Sequence, residues 1–298
     1  MSEGMRSEGA RPDGTRTARP VVACDLDRTL VYSAKALWLD PEASRDEAPR
    51  LVVSELYEGQ PLSYMTREAE ELLHELLSHA VFVPVTTRTE AQFRRIHLPR
   101  TRYAITTNGG VLLTEGKPDA RWAARVRGAV VRGSAPLGEI LDRLAAGPAP
   151  GVLRVRTAED LFAYAIVERT ELPEGFVEQL TDWCAERGWV VSLQGRKLYC
   201  VPAAVTKEAA VAEVMRRAGT DTLITAGDSL LDQGLLEMAD VALRPRHGEL
   251  EAAGYERPHV RVTPSRGVRA GQEILAAALE AAVGAALPRP GSGELNRV

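Results

Sequence analysis

The chain has 298 residues and a formal net charge of −4, with 45% hydrophobic and 26% charged residues. This length suffices for one large α/β domain with an insertion or for two domains. The slightly acidic balance gives no indication of nucleic-acid binding, which usually needs a concentrated basic surface. No segment approaches the roughly 20 apolar residues that span a bilayer. The sequence therefore predicts a soluble protein that binds neither nucleic acid nor membrane.

The termini and the cysteines favour a cytoplasmic location. Residues 1–19 are rich in Ser, Gly, Arg and acids and lack the apolar core of a secretory signal, so we predict a disordered tail. Cys24, Cys184 and Cys200 have neither CxxC spacing nor a nearby histidine cluster. They therefore indicate reduced thiols rather than a disulfide framework or a zinc site. Residues 286–298, with repeated Pro and Gly, are predicted to form a second disordered tail.

An apolar, β-type segment at residues 21–31 contains two aspartates one residue apart. Because side chains of a strand repeat every two residues, Asp25 and Asp27 are predicted to leave the same face, roughly 7 Å apart. Two unpaired carboxylates at the end of a buried strand are unfavourable, and a hard cation such as Mg²⁺ would offset their charge. Ordinary strand-end and turn residues would give the same pattern, so both interpretations stay open for this segment.

The next elements alternate between helices and buried strands, which is typical of a parallel sheet. Residues 51–57 are predicted to form a short strand or hairpin with a turn at residues 58–61. Thr66 is predicted to cap a helix with an apolar leucine face, and residues 81–85 to form the following buried strand.

Polar side chains follow this second buried strand and the third one. Thr86, Thr87 and Arg88 come directly after the second strand, and their hydroxyl and guanidinium donors suit a phosphoryl group. They would equally suit the start of a helix. Asn108 follows the strand predicted at residues 103–107, in an Asn-Gly-Gly step. Asn-Gly alone usually indicates a hairpin turn, but here it falls where open α/β sheets place ligands.

From about residue 117 to residue 200 the pattern changes to helix, two strands, helix, two strands. We predict helices at residues 136–146 and 173–187, each followed by a strand pair, as an αββαββ layer inserted into the main sheet. Six arginines make this layer basic: Arg121, Arg125, Arg127, Arg132, Arg154 and Arg156. A solvated surface is the simpler interpretation, and contact with an anionic ligand is the alternative.

Two features follow the inserted layer. Lys207 is predicted in the first turn of a helix, where a cation opposes the helix dipole unless an anion lies nearby. The buried strand at residues 222–226 then leads into Gly-Asp-Ser-Leu-Leu-Asp, in which Gly227 permits a tight turn and Asp228 and Asp232 have helical spacing. A second pair of acids is thus predicted at a strand end.

The order of these motifs resembles that of the haloacid dehalogenase (HAD) superfamily phosphatases. The four motifs correspond to residues 25–30, residues 86–88, Lys207 and residues 227–232. The αββαββ insertion and the Thr-Asn-Gly-Gly step resemble the branch with a type IIB cap, which includes the Cof, sucrose-phosphate phosphatase and mannosyl-3-phosphoglycerate phosphatase groups.

The resemblance implies an α/β fold in which a Rossmann-like parallel-sheet core carries an inserted α+β (αββαββ) cap. The core is expected to comprise residues 20–114 and 202–285, and the cap residues 115–201.

A phosphate ester repels an anionic nucleophile, so a carboxylate attacks it only where a cation and fixed donors neutralise the phosphoryl oxygens. The resemblance implies that Asp25 is the nucleophile and forms an aspartyl-phosphate. Asp27 protonates the leaving alkoxide and then takes a proton from water. Mg²⁺ would be held by the carboxylate of Asp25, the backbone carbonyl of Asp27 and Asp228, while Asp232 completes or orients the shell.

The remaining implied roles concern the phosphoryl group and the substrate. Thr86 would bind the transferring phosphoryl group, and Lys207 would neutralise it. The further contacts to phosphate or substrate are expected from four residues: Thr87, Arg88, Asn108 and Arg28.

Three positions depart from the family pattern. Arg28 and Thr87 stand where glycines are usual, and Glu208 follows Lys207 where the branch commonly has Gly. The two side chains added at Arg28 and Thr87 would narrow the substrate range, contact a second anionic group or mark a change in chemistry.

The leading functional hypothesis is a Mg²⁺-dependent phosphatase that hydrolyses a small phosphorylated metabolite, such as a phosphosugar. A phosphosugar mutase of the same superfamily and a non-catalytic binding protein on this scaffold are the alternatives. Release of inorganic phosphate distinguishes a phosphatase from a mutase, and a binding protein would turn over no phosphorylated metabolite.

Overall fold

The computed structural model describes residues 18–40, 44, 48–145 and 150–286. The two predicted disordered tails lie outside these residues, apart from their innermost positions. Within the described ranges, no helix is both long and apolar enough to cross a membrane.

The described residues form strands and helices in mixed order along the chain. The strands are β1 (Val21–Asp25), β2 (Tyr32–Ser33), β3 (Leu51–Tyr57), β4 (Gln60–Thr66), β5 (Val81–Val85), β6 (Tyr103–Thr106), β7 (Val111–Thr114), β8 (Lys117–Pro118), β9 (Val152–Ala158), β10 (Phe162–Val167), β11 (Trp189–Gln194), β12 (Lys197–Pro202), β13 (Leu223–Ala226), β14 (Val241–Arg244) and β15 (Val260–Val262). The α-helices are α1 (Arg67–His79), α2 (Glu90–Phe93), α3 (Ala120–Gly133), α4 (Leu137–Ala145), α5 (Phe176–Ala185), α6 (Lys207–Ala218), α7 (Gln233–Glu237), α8 (Glu249–Ala252) and α9 (Val268–Ala286).

The largest sheet has eight strands in the order β15-β14-β13-β1-β5-β6-β7-β8. Strand β1 pairs in parallel with β13 on one side and β5 on the other. All five residues of β1 are buried, as expected for a parallel strand covered by helices on both faces. Because parallel strands end at the same edge, the polar segments after β1, β5 and β13 come together there.

Alternating side chains of β1 enter two hydrophobic clusters, one on each face of the sheet. Val21 and Ala23 join the cluster that contains Val211 of α6, whereas Val22 joins the cluster that contains Leu73 of α1 and residues of α9. This alternation follows from the two-residue period of a strand.

Polar caps begin the helices on both faces. The Thr66 hydroxyl accepts a hydrogen bond from the Ala69 amide at the start of α1, as predicted. Thr206 caps α6 in the same way, and Gly219 ends that helix in the left-handed conformation with φ 67°.

A second, antiparallel sheet of four strands has the order β11-β12-β10-β9. Its helices α4 and α5 bury Ile140, Leu144, Leu180 and Cys184 in the same cluster as residues of β10 and β12. The structure confirms the predicted parallel-sheet core with an inserted α+β layer. The domain boundaries at residues 115 and 201 remain predictions.

Helix α3 was not predicted. Asp119 caps it by accepting from the Trp122 amide, and its inward face carries Trp122 and Val126, with Val130 partly buried. These apolar positions recur every four residues, but the arginines between them reduce the apolar signal of the segment. The helix was recognisable from its cap and spacing.

A third, small sheet has the order β2-β4-β3. Strands β3 and β4 form the predicted hairpin, and the turn residues Glu58 and Gly59 have φ 49° and 76°. Two successive positive φ values are typical of the turn that matches the twist of a two-residue hairpin.

Two glycines with positive φ allow a test of how the turn after β6 contacts α6. A Cβ at Gly109 would overlap the Thr206 carbonyl at the start of α6, whereas a Cβ at Gly116 would meet no atom within 4 Å. We expect Gly109→Ala to lower the free energy of unfolding by about 3 kcal/mol, because overlap adds to left-handed strain. The matched Gly116→Ala should lower it by only about 1 kcal/mol. Urea denaturation measures both, and equal losses would contradict the predicted contact.

Candidate active site

The candidate site lies where β1, β5 and β13 end. Asp25 is the last residue of β1, Thr86 follows β5, and Asp228 follows β13 by two residues. Lys207, the first residue of α6, reaches the same edge. These four side chains are buried, and polar groups are rarely buried without partners.

Lys207 bridges two aspartates in the interior. Its Nζ atom donates to Asp25 Oδ1 and to Asp232 Oδ1, at 2.5 Å each. The amide and hydroxyl of Ser229 donate to the other oxygen of Asp232, at 3.0 and 2.7 Å. Burial alone would lower the pKa of Lys207, but the charges of Asp232 and Asp25 outweigh it and raise that pKa. The lysine is therefore held as a cation.

Three carboxylates form a cluster around this lysine. One oxygen from each of Asp25, Asp228 and Asp232 lies within 4.8 Å of the others. Burial raises the pKa of Asp25 to about 7, which Lys207 opposes and Asp232 reinforces. Burial, and then the negative charge of Asp25, raise the pKa of Asp228 well above its usual value.

The charge balance of this cluster tests whether it fits the predicted metal. Three carboxylates face Lys207 and the more distant Arg28, whose Nε atom is 3.8 Å from Asp228 Oδ2. Negative charge remains in excess when all three acids are ionised. Carboxylate oxygens are the ligands that Mg²⁺ prefers, so the residues present fit a divalent cation.

Asp27 lies outside this cluster. Its two carboxylate oxygens accept from Arg88 Nε and Nη2, both at 2.7 Å. Burial would raise the pKa of Asp27, but the charge and hydrogen bonds of Arg88 outweigh it and lower that pKa to about 2. The side chains of Asp25 and Asp27 thus have different partners, although Asp27 lines the same cavity as Asp228. The roles expected of the two aspartates remain predictions. Strand β1 ends at Asp25, so the two-residue period no longer applies at Asp27.

Arg88 is also paired with a buried acid that the sequence analysis missed. Its Nη1 atom donates to Glu55 Oε2 at 2.7 Å, and Arg95 Nε donates to the other oxygen of Glu55 at 3.0 Å. The Glu55 side chain is fully buried. Strand β3 changes register on both sides of Glu55, and such bulges redirect side chains near active sites. The ordinary strand alternation therefore gave no signal for it.

The other predicted phosphate contacts have partners within the protein. Thr86 Oγ1 accepts from the Arg88 amide at 3.1 Å, which leaves its hydroxyl hydrogen to donate. Thr87 Oγ1 donates to the hydroxyl of Tyr199, on β12, at 3.4 Å. Asn108 Nδ2 donates to the Val205 carbonyl at 2.8 Å. Asn108 thus connects the turn after β6 to the segment that leads into α6.

Arg28 adopts the left-handed conformation, with φ 65°, which explains why glycine suits this position. Its amide donates to the Val31 carbonyl, and its own carbonyl accepts from His247 Nε2 at 2.7 Å. The guanidinium carbon lies 5.3 Å from the ring centre of Trp38. Because the Gly267 amide donates to His247 Nδ1, the neutral histidine must carry its proton on Nε2.

A cavity of about 540 Å³ separates this edge from the four-stranded sheet. The core contributes Asp27, Arg28, Lys35, Trp38 and Asp228, and the four-stranded sheet contributes Gln194, Lys197 and Tyr199, among others. The cavity therefore contacts both the candidate catalytic residues and the inserted layer.

Solved structures with a similar fold include proteins described as phosphatases or as related to a phosphatase. The sucrose-phosphatase of Synechocystis sp. PCC6803, solved with sucrose and phosphate, has a TM-score of 0.61 and 16% identity over 88% of this chain and 98% of its own. The HAD subclass IIB sugar phosphatase BT4131 has a TM-score of 0.53 and 11% identity over 88% and 99%. A trehalose-6-phosphate phosphatase related protein has a TM-score of 0.50 and 16% identity over 89% and 99%.

No protein-family model and no curated protein matches the sequence. At these identities the similarity to solved structures concerns the fold. The predicted HAD-type fold with its inserted cap layer is confirmed.

The contact between His247 and Arg28 predicts a pH dependence of stability. Burial lowers the pKa of His247 from the ordinary histidine value of about 6.5 to about 4. A depressed pKa means that the unfolded chain binds the proton more readily, so this contribution to stability is complete above pH 6.5 and is lost as the pH falls towards 4. We expect a loss of about 3 kcal/mol over this window. His247→Gln keeps a donor without titrating, so its urea unfolding should lack that part of the pH dependence. If the free energy of unfolding had the same pH dependence in the wild type and in His247→Gln, that dependence would not come from His247.

Proposed function

We propose that this HAD-fold protein is a Mg²⁺-dependent phosphatase that hydrolyses a small phosphorylated metabolite through an aspartyl-phosphate on Asp25. The observation that carries the proposal is the buried bridge of Lys207 between Asp25 and Asp232, with Asp228 beside it, at the carboxyl edge of the parallel sheet. The named phosphatases with a similar fold support phosphosugars as the substrate class.

In the first step, a carboxylate oxygen of Asp25 attacks phosphorus and the bond to the leaving oxygen breaks. Lys207 holds Oδ1 of Asp25, so Oδ2 is the atom that we expect to attack. In the second step, water attacks the same phosphorus and the bond to Asp25 breaks, which regenerates the carboxylate and releases inorganic phosphate. Splitting the transfer in this way replaces one difficult step by two easier ones.

The charge of the phosphoryl group is offset from two sides. Lys207 is a fixed cation beside Asp25, and Thr86 can donate its hydroxyl hydrogen to a phosphoryl oxygen. Asp25, Asp228 and Asp232 would hold Mg²⁺, with Asp27 adding its backbone carbonyl. The bound ion supplies positive charge at the phosphoryl oxygens. Pre-positioned charges of this kind are a large source of catalysis in phosphoryl transfer.

In this scheme Asp27 donates and accepts protons, and its pairing with Arg88 determines its protonation state. While paired with Arg88, Asp27 is an ionised carboxylate, which is the form that accepts a proton from the attacking water. To protonate the leaving oxygen it must first lose that pairing, which raises its pKa, and take up a proton from solvent. Phosphoryl oxygens compete for the same guanidinium, so we expect substrate binding to draw Arg88 away from Asp27.

Further substrate contacts are assigned to four residues. Arg28 lines the cavity, Arg88 and Thr87 contact the lining residues Asp27 and Tyr199, and Asn108 lies in the turn after β6. Residues 115–201 would act as the cap that covers the substrate and excludes water.

The nucleophile assignment predicts that Asp25→Asn lowers kcat for phosphate release by at least about a thousandfold. The amide retains the shape of the side chain but is a poor nucleophile. Phosphate release from p-nitrophenyl phosphate and a panel of sugar phosphates measures the effect, with circular dichroism as a check of folding. The matched control is Asp142→Asn, at an exposed position of α4, which should behave like wild type. Wild-type turnover by Asp25→Asn would refute the assignment.

The same panel tests the function itself. A phosphosugar mutase would form an isomeric sugar phosphate without net phosphate release, and a binding protein would convert none of the compounds. Either result for the wild-type protein would reject a phosphatase.

The metal assignment predicts that chelation abolishes activity and that Asp228→Asn raises the Mg²⁺ concentration for half-maximal activity by about tenfold or more. Asp221→Asn, at an exposed position before β13, serves as the control. Thermal unfolding with and without Mg²⁺ provides a second measurement, because an ion that binds the folded state stabilises it. An unchanged Mg²⁺ response in Asp228→Asn would remove this residue from the metal site.

A further inference from the structure

We propose that the four-stranded sheet β11-β12-β10-β9, which we call the cap sheet, binds a second anionic group of the substrate. The preferred substrates are then phosphomonoesters whose leaving group carries a carboxylate or another phosphate. The binding residues are Arg154, Arg156 and Lys197, which we call the cap cation group. This inference rests on the phosphatase activity proposed above and specifies its substrate class.

The strand register places the cap cation group on one face of the four-stranded sheet. Ile166 of β10 lies opposite Arg154 on one side and Lys197 on the other. Two residues earlier on β10, Tyr164 lies opposite Arg156. Directly opposed residues of antiparallel strands share a face, and so do residues two apart on a strand. All three cations therefore project from the same side of the sheet.

This face looks towards the candidate active site. Tyr199 is the partner of Tyr164 on β12 and therefore belongs to the same face. Its hydroxyl accepts from Thr87, directly after β5. Lys197 and Tyr199 also line the 540 Å³ cavity together with Asp27. A molecule bound at the catalytic edge is thus covered by the face that carries the cap cation group.

A second cavity of about 370 Å³ adjoins the first, because Ile166 and Lys197 line both. Its lining consists of Gln92, Leu153, Arg154, Arg156, Tyr164, Ile166 and Lys197. It contains three cations and no acidic residue. A cavity wall with charge of one sign attracts ligands of the opposite sign.

The cap cation group has few opposite charges near it in the described part of the chain, where Asp27 acts on Lys197 from across the cavity without forming a salt bridge. Among the described residues, none of its three members forms a salt bridge within 4.0 Å, whereas Arg88 and Arg217 are each paired with two acids. Adjacent unpaired cations repel each other, and an anion between them removes that cost. A solvated surface would account for isolated arginines, but these three side chains line one open cavity that adjoins the candidate active site.

The two ends of the substrate are then bound by different parts of the protein. The reacting phosphoryl group lies against the core, beside Asp25 and Lys207. The second anion lies against the cap cation group, in the adjoining cavity that shares Lys197 with the first. A leaving group without a second anion would forgo the charge-assisted hydrogen bonds of the cap.

Matched substrate pairs test this inference. The carboxylate pair is 6-phosphogluconate and sorbitol 6-phosphate, which differ only in a terminal carboxylate against a hydroxymethyl group. The phosphate pair is fructose 1,6-bisphosphate and fructose 6-phosphate. We expect the wild-type kcat/KM to be at least about tenfold higher for the anionic member of one pair or both. The pair that shows the preference identifies the second group.

The Arg154→Gln/Arg156→Gln double variant is the main test, because both side chains are exposed and their replacement should leave folding intact. The preference should fall at least about tenfold, mainly through KM. Lys197→Gln is the second variant, with the same expected direction. Arg127→Gln, at an exposed position of α3, is the matched control and should retain the wild-type preference.

Each outcome decides the inference. Turnover of p-nitrophenyl phosphate without a preference in either pair would overturn the inference and leave the proposed phosphatase standing. A preference that survives both the double variant and Lys197→Gln would overturn the assignment to the cap cation group. Absence of phosphate release from every compound, p-nitrophenyl phosphate included, would reject the phosphatase and the inference with it.

Discussion

The buried bridge of Lys207 constrains how the core is assembled. An ammonium group in the interior is strongly unfavourable unless opposite charges reach it, and here the charges come from Asp25 and Asp232, 182 and 25 residues away in sequence. The end of β1, the segment after β13 and the first turn of α6 must therefore meet at one point. The turn after β6 positions the first turn of α6, because Asn108 donates to the Val205 carbonyl before α6 and only a glycine fits against Thr206 at residue 109. The cation in the first turn opposes the helix dipole, but two carboxylates in direct contact outweigh that cost.

The acids of the site fall into two groups with different charge balance. Asp27 and Glu55 are matched by Arg88 and Arg95 in an alternating chain of charges, and this chain joins the segment after β5 to the β3–β4 hairpin. The three-carboxylate cluster has no such match. Its members lie within 4.8 Å of one another, and among the described residues Lys207 is the cation at hydrogen-bonding distance from them. The protein thus balances Asp27, the acid proposed to transfer protons, with an arginine and leaves excess negative charge at the proposed site of the divalent cation. These opposite arrangements give Asp25 and Asp27 different chemistry despite their nearness in sequence.

The sequence predicted the parts of the fold that depend on local pattern. The apolar segments of β1, β5 and β13, the cap at Thr66 and the polar strand ends were all recognisable, because their signals lie within a few neighbouring residues. The features that were missed depend on contacts distant in sequence or on irregular backbone. Glu55 enters the core through a bulge, and Asp27 leaves the carboxylate cluster because β1 ends two residues earlier. Helix α3 was missed although its cap and its four-residue apolar spacing were recognisable, because arginines lie between the buried positions Trp122 and Val126 and the positions that follow them.

Arg28 stands where the family pattern has glycine, and it adds a positively charged side chain beside the cavity at the cost of backbone strain. A non-glycine residue in the left-handed conformation costs about 1 to 3 kcal/mol. Here the Arg28 amide donates to the Val31 carbonyl and the Arg28 carbonyl accepts from His247 Nε2, and these two hydrogen bonds offset that cost. The side chain then extends over Trp38 and approaches Asp228, on the core side of the cavity. A glycine would adopt the same turn without strain but would contribute no charge. Because the cap sheet contributes unpaired cations on the opposite side, the same cavity is bordered by positive charge from both layers, with the carboxylate cluster on the core side. Such a cavity favours a substrate with negative charge at both ends over a simple phosphosugar.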